Sequence, residues 1–527
     1  MKNKWKYFWV VVAILAGWYL ARRDAEVLPP EAGERDPVQA AAASPSPAVN
    51  ADLTVAPPVR FPLHAVGEEV LVYFPDAASY RAYLDALGGA GDVKLGSLDA
   101  LRCVRLHADS LRFADPADFG GQVEFNYRVR QPAPPRESNP LVLGPLKGFG
   151  ASAREIAGGG LAGRGSGVVI AVLDSGIADH RFFEGVEIDS YNWVSDDRVK
   201  ASARGHGTAV ASILGGESGI APEARLLDFR VLDAAGQGSS FDVAEAIVRA
   251  ADLGADVINL SLGLYQETVH LHEAVRYAHQ KGALMVAAAG NDALTQLPFP
   301  AAYAEVLAVT AVDGNGLHAG FSNRSKGIDV AAPGVGVVVA DPEGQERQIN
   351  GTSAAAPFVS GTLAALLSEN PGGAPENAVR LLKAQLNEAG APGMDASYGS
   401  GLVDWDRLRE REASDLQDLA VAAIHMELGS QPGTRVPVKV VVQNRGTTWI
   451  PAAQLTVVQT GEATEEFMIT SLAPGAIAER TVYRHLPSAG MDAVVEMGAS
   501  VALEDGTADR RPENNTRFTR FTPAKLD

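Results

Sequence analysis

A single cysteine, Cys103, stands in 527 residues, so no disulfide can close within the chain and no cysteine-rich zinc site can form. Basic residues are also short: 45 Lys and Arg face 64 Asp and Glu, a net charge of −19. A phosphate backbone needs a basic face, so nucleic acid is not the expected main partner. Long apolar runs are scarce. What is plentiful is ordinary globular composition, 46% apolar and 21% charged, which excludes disorder along the whole chain. At about 100–200 residues per domain, the length allows three or four domains.

The main apolar run lies near the start. Lys2, Lys4 and Lys6 precede Tyr7–Leu20, and Arg22 and Arg23 close it. Its 14 residues make a helix of about 21 Å against a bilayer core of roughly 30 Å. Flanking Lys, Arg and Trp side chains can bridge the difference. A cleaved signal peptide is the rival expectation, but Tyr19-Leu20-Ala21 lacks the small residue a cleavage site wants at its first position. Segment 1–23 is therefore expected to be a signal anchor or signal peptide, with the bulk of the chain in the cell envelope or secreted. Residues 24–60, rich in Pro, Ala, Glu and Ser, are expected to be a disordered spacer. Residues 131–166, with Gln131-Pro-Ala-Pro-Pro135 and Gly158-Gly-Gly160, are expected to be a second, flexible linker. The run Gly163-Arg-Gly-Ser-Gly167 precedes a strand and lacks Gly-Lys-Ser/Thr, so it is not a phosphate loop.

From Val168 onward, short apolar runs alternate with helical stretches. Val168–Leu173, Asp256–Leu260, Leu284–Ala288 and Val306–Val312 read as buried parallel strands. His206–Leu214, Asp242–Leu253, Glu267–Lys281 and Ser353–Glu369 read as helices. The repetition predicts an α/β domain, a parallel sheet with helices on both faces. Ligands bind beyond the carboxyl ends of such strands. There stand Asp174 after the first strand, His206 in Gly205-His-Gly-Thr208, Asn291 after Ala288-Ala-Gly290, and Ser353 in Asn350-Gly-Thr-Ser-Ala-Ala-Ala-Pro357. An acid, a base, an amide donor and a hydroxyl on one edge are what acyl transfer needs.

On these motifs, with Val257-Ile-Asn-Leu-Ser-Leu-Gly263, Phe321-Ser-Asn323 and Ala331-Ala-Pro-Gly334, the chain resembles the subtilisin-like serine peptidases across about Gly167–Ala413. The order Asp, His, Ser agrees with that family. The resemblance implies Ser353 as nucleophile, His206 as general base, Asp174 as its orienting acid and Asn291 as oxyanion donor. It implies that Ser261, Leu262, Gly263, Ala288, Ala289 and Gly290 form backbone walls around the substrate. No acidic residue lies in those walls, so no strong demand for Arg or Lys is expected. Two departures are noted: Ala354 follows the serine where Met is frequent, and the segment 215–222 is short where some relatives bind calcium. No cofactor is required by the motifs, and calcium cannot be assigned to particular residues.

The flanks complete a domain plan. Residues 61–130 read as β-α-β-β-α-β, a small ferredoxin-like α+β domain, and their position resembles the family's inhibitory propeptide. Residues 167–413 form the peptidase region. Residues 414–527 alternate in the manner of an all-β Ig-like sandwich and resemble a bacterial adhesion-type module. The expected partners are polypeptide substrates, the chain's own propeptide-like domain, and a membrane through the N-terminal segment. The expected function is that of an exported serine endopeptidase made as a zymogen. Its alternatives are a catalytically silent surface binding or adhesion protein on a protease scaffold, and a protease that cuts only its own chain.

Overall fold

Asp76 opens the first helix by accepting hydrogen bonds from the N–H groups of Ala78 and Ser79 at 2.9 and 2.8 Å. That helix, α1 (Ala77–Leu87), follows β1 (Ala65–Tyr73) and precedes β2 (Lys94–Leu98), β3 (Cys103–His107) and β4 (Gln122–Arg130). The strands form an antiparallel sheet in the order β2-β3-β1-β4, the ferredoxin-like arrangement. The second helix expected from the β-α-β-β-α-β reading is instead two short 3-10 turns, Ala108–Arg112 and Pro116–Phe119. Pro116 has no N–H and disfavours helical backbone at Asp115, so the helix cannot continue through it. One face of the sheet buries Val70, Val72, Val104 and Leu106 against Tyr80, Tyr83 and Leu87 of α1. The other face, with Leu71, Leu98, Cys103 and Val129, joins the core of the next domain.

The computed structural model describes residues 61–88, 94–133, 146–159, 161–194, 201–426, 435–459, 461–485 and 495–521, all within the unit that begins at Val59. The expected export segment 1–23 and spacer 24–60 lie outside the described residues. Among the described residues no helix is long and apolar enough to cross a membrane. The described part of 131–166 departs from the expected flexible linker. Phe149 N–H bonds Val335 O at 2.9 Å, and α2 (Ala153–Ile156) starts in a capping box between Ser152 and Glu155. Ala153, Ala157 and Leu161 are buried. A Cβ on Gly163 would lie 2.0 Å from Ala365 O, so that glycine serves close packing rather than flexibility.

The central sheet follows the expected plan. Its strands are β5 (Val169–Asp174), β6 (Ile188–Asn192), β7 (Arg225–Arg230), β9 (Val257–Leu260), β10 (Leu284–Ala288), β11 (Val306–Val312) and β12 (Val330–Pro333). They pair in parallel in the order β12-β11-β10-β9-β5-β7-β6. Helices α3 (Gly205–Leu214), α4 (Ser240–Asp252), α5 (Val269–Gln280), α6 (Thr352–Glu369), α7 (Pro375–Ala384) and α8 (Trp405–Glu410) accompany it. The short strand β8 (Gln237–Ser239) pairs antiparallel with β4 of the first domain. A hairpin, β13 (Val337–Ala340) and β14 (Glu346–Ile349), leads into α6.

Among the described residues, the C-terminal region holds seven strands in two sheets. One is β15 (Leu419–Met426), β16 (Arg435–Asn444) and β19 (Ile477–His485). The other is β18 (Glu465–Leu472), β17 (Ile450–Gln459), β20 (Val495–Leu503) and β21 (Thr516–Phe521). They enclose one apolar core, the expected sandwich. Buried polar contacts bolt it to the central domain: Gln443 donates to Leu386 O at 3.1 Å and accepts from Glu388 N–H at 3.0 Å. Arg511 pairs with both Asp418 and Glu410, at 2.7 and 2.6 Å.

Candidate active site

Three chain turns converge at the carboxyl ends of β5, β9 and β10. Asp174 closes β5 and is buried. Both its carboxylate oxygens face His206 Nδ1, at 2.8 and 2.9 Å, and one accepts from Ser175 N–H at 2.7 Å. A carboxylate can only accept, so the imidazole proton sits on Nδ1 and the Nε2 lone pair is free for the cleft. The Gly-His-Gly-Thr motif makes this approach possible. A Cβ on Gly207 would lie 2.4 Å from Gly176 O, so only glycine lets the start of α3 press on the turn after Asp174. Gly207 N–H donates to Ser175 Oγ at 3.1 Å, and Ala178 N–H donates to Thr208 Oγ1 at 2.9 Å.

Ser353 lies in the first turn of α6, 5% exposed. Asn291, three residues past β10, reaches the same turn. Its Oδ1 accepts from both the N–H and the hydroxyl of Thr352, each at 2.9 Å. With the oxygen so occupied, Nδ2 is left as the donor, and it donates to the Ala133 carbonyl at 2.9 Å. Gly351, at φ 149°, marks the space that matters. A Cβ there would lie 3.0 Å from Asn291 Nδ2 and 3.1 Å from Ser353 Oγ. The hydroxyl and the amide donor therefore face one small volume, which any side chain at 351 would fill. Asp174, His206, Ser353 and Asn291 are thus brought to one sheet edge. His206 and Ser353 line a common cleft of about 420 Å³ with Gln131, Pro132 and Asn350, and no hydrogen bond joins the two directly among the described residues.

Ser261, Leu262 and Gly263 follow β9, and Ala288, Ala289 and Gly290 close and follow β10. Gly263 exchanges two backbone hydrogen bonds with Arg130, at 3.1 and 2.9 Å. Ser261, Leu262, Ala288 and Ala289 are buried. Gly290, at φ 96°, leaves room for the Asn323 amide, which a Cβ would meet at 2.5 Å. Asn323 donates to Ala289 O at 2.9 Å and to Tyr265 OH at 3.0 Å, fixing the wall. Tyr265 in turn donates to Asp292 at 2.6 Å, and burial together with that carboxylate pushes its phenol well above the ordinary range.

The supports were harder to read in the sequence. Thr208 and Thr352 stand inside the quoted motifs, yet only the folded geometry gives them work. Asp228 on β7 carried no signal at all. It accepts from Ser190 Oγ at 2.9 Å, and burial pushes its carboxyl up to about 6. His180 accepts from Phe182 N–H through Nδ1 at 3.2 Å. Among the described residues no group of three or more His, Cys, Asp or Glu is arranged to hold a metal ion.

Residues 165–401 match the model of the subtilase family. Over 247 residues the chain is 38% identical to subtilisin Savinase of Lederbergia lenta, covering 46% of this chain and 90% of that protein. Over 212 residues it is 42% identical to a thermophilic serine proteinase of Bacillus sp. (strain AK1), covering 39% of this chain and 53%, about half, of that protein. Over 213 residues it is 38% identical to thermitase of Thermoactinomyces vulgaris, covering 39% of this chain and 76% of that protein.

Proposed function

The chain belongs to the subtilase family, and from that premise we propose that it is a serine endopeptidase made as a self-blocked precursor. One observation carries the reading: residues 128–133 run along the cleft and set the Ala133 carbonyl on the Asn291 amide, beside Ser353, while Asp174 orients His206. In the proposed reaction, Ser353 Oγ attacks a peptide carbonyl carbon and His206 Nε2 takes the hydroxyl proton. Asn291 Nδ2, with backbone N–H groups at the start of α6, holds the charge that develops on the carbonyl oxygen. His206 then gives its proton to the leaving nitrogen, and water releases the acyl group by the same path in reverse. Asp174 keeps the imidazole in the required tautomer throughout.

Substrate is proposed to bind as a strand between β8 and Gly263, since β4 and the residues after it already do so. Arg128–Arg130 pair with Gln237–Ser239, and Gln131 N–H donates to Gly236 O at 3.0 Å. The same contacts support a propeptide role for residues 61–130. Lys2, Lys4 and Lys6 before the apolar run support export, by a signal anchor or a signal peptide.

The test is hydrolysis of an added unstructured polypeptide, followed by mass spectrometry. Wild type should generate fragments slowly, and faster once Glu124→Ala loosens the docked domain. Ser353→Ala should generate none. Equal fragmentation by Ser353→Ala would remove the serine from the mechanism. No fragmentation by any form would favour a silent binding scaffold.

A further inference from the structure

β7 carries two charged side chains into the interior of the central domain. Its register with β5 sets Asp228 beside Val172 and Arg230 beside Asp174. Partners in parallel strands point to one face, so Asp174, Asp228 and Arg230 share a face of the sheet. It is the face on which α3 packs, since Val172 shares a core with Ala209, Val210 and Ile213 of that helix. Asp174, Asp228 and Arg230 are 1%, 3% and 4% exposed, so their charges meet little water. Arg204 joins them from the start of α3. It stands directly before Gly205 and His206, and its Nη1 donates to Ile177 O at 3.2 Å, in the turn after Asp174. The two arginine stems flank that turn: a Cβ on Gly176 would lie 3.2 Å from Arg230 Cδ and 3.5 Å from Arg204 Cδ.

Two cations beside Asp174 compete with the imidazole of His206 for its charge. Asp228 supplies a second anion. Its Oδ2 accepts from Ser190 Oγ at 2.9 Å, and its Oδ1 has no hydrogen-bond partner among the described residues. Burial pushes this carboxyl up to about 6 against the pull of Ser190 and Arg204, and the charge on Asp174 adds to the rise. At neutral pH it is ionised, and two carboxylates then balance two guanidinium groups. The other charged groups nearby are engaged elsewhere or exposed. Asp189 on β6 pairs with Arg225, Arg181 pairs with Glu346, and Asp179 and Glu184 face water. His180 uses both ring nitrogens, on Phe182 N–H and Gln345 O. In the cleft with His206, Arg347 pairs with Asp341 at 3.2 Å, and Asp233 accepts from the N–H groups of Ala235 and Gln237.

Resting on the proposed reaction, we infer that Asp228 is a positioning residue of the triad: its carboxylate counters Arg204 and Arg230 behind the turn, so that Asp174 keeps its charge for His206. With Asp228 ionised, the imidazolium that forms during proton transfer is favoured. With that carboxyl neutral, the excess positive charge behind Asp174 opposes it.

The experiment uses the full chain with and without Asp228→Asn. In the Ser353→Ala background, His206 is titrated by imidazole nitrogen NMR, its signals assigned by their loss in His206→Gln. Asp228→Asn should lower the His206 midpoint by about half a pH unit or more. In chains that keep Ser353, the plateau rate of fluorophosphonate labelling should fall about three- to tenfold, and its acid limb should move to lower pH with His206. A residue that only holds the fold would slow labelling and leave the limb in place, and that result would overturn the assignment. So would a His206 midpoint that does not move. Should Asp228→Asn fail to fold, Ser190→Ala removes the donor to the same carboxylate and should move the midpoint in the same direction by less. A fixed midpoint there would overturn the assignment equally. If Ser353 takes no label in any chain, the serine-peptidase reading itself is wrong, and the role given to Asp228 falls with it.

Discussion

Pro357 has no N–H to give to the carbonyl four residues back, and that carbonyl belongs to Ser353. The vacancy is filled from the substrate wall. Ser261 Oγ donates to Ser353 O at 3.1 Å, Asn259 Nδ2 donates to Ser261 Oγ at 3.1 Å, and Ser360 Oγ donates to Asn259 Oδ1 at 2.9 Å. All four residues are buried, so the row cannot borrow water freely. Ser261→Ala should leave that carbonyl unpaired, costing about 1–3 kcal/mol of stability. It should lower kcat by roughly ten- to a hundredfold through a misplaced Ser353, with KM changed less. Ser261→Thr should restore most of the loss, and steady-state kinetics read both. Asn291→Ala should lower kcat by about 100- to 1000-fold, a magnitude established on a member of this same family rather than derived from this chain. Asp228 gives a stability signature. Its folded carboxyl titrates at about 6, against about 3.9 when unfolded. The native state therefore binds the extra proton between those values, and stability should fall by about 3 kcal/mol as pH rises from 4 to 6 and then level off. Asp228→Asn should flatten that slope in urea titrations.

At the scale of elements, β4 acts on two helices of the peptidase region. Thr268 precedes α5 without capping it through its side chain, and Glu124 supplies the missing acceptor to Val269 N–H at 2.9 Å. The same carboxylate meets His270 Nδ1 at 2.7 Å. Asn126, fully buried, accepts from Phe241 N–H near the start of α4 at 3.1 Å and donates to Glu69 at 2.7 Å. Asn126→Ala should weaken docking by about 1–3 kcal/mol and raise the rate of Ser353 labelling about tenfold or more, followed by timed fluorophosphonate reaction. These cross-domain caps were not legible in the sequence, because Glu124 and Asn126 look like ordinary strand residues until the sheet is laid against α4 and α5. The parallel strands and their helices were legible, because apolar runs and glycine stops repeat at regular spacing. The candidate site residues Asp174, His206, Asn291 and Ser353 were legible as a group on one sheet edge, because each stands in a short motif at a strand or helix end. The strand β7 escaped notice because Arg225, Asp228 and Arg230 interrupt its apolar pattern. The packing of residues 146–167 escaped for another reason: backbone contacts and close-packed glycines leave no periodicity to read.

At the scale of the molecule, the C-terminal sandwich is bolted to the peptidase region rather than appended to it. Arg445 is so deeply buried that its guanidinium is pulled down to about 10, and its backbone carbonyl accepts from Arg407 at 3.3 Å. Arg511→Ala would strip the buried Asp418 of its cation and should cost about 3 kcal/mol. Calorimetry should then resolve the sandwich as a separate, earlier transition. The propeptide-like domain shares interior contacts with the region that holds Asp174, His206 and Ser353, so on the proposed function the cleft opens when that domain lets go. The most direct test of that account is residue-mapped fluorophosphonate labelling of the full chain, alone and with Asn126→Ala. The account predicts an adduct on Ser353 that forms slowly in wild type, faster in Asn126→Ala, and not at all in Ser353→Ala. Labelling that ignores Asn126, or an adduct that never appears on Ser353, would contradict it.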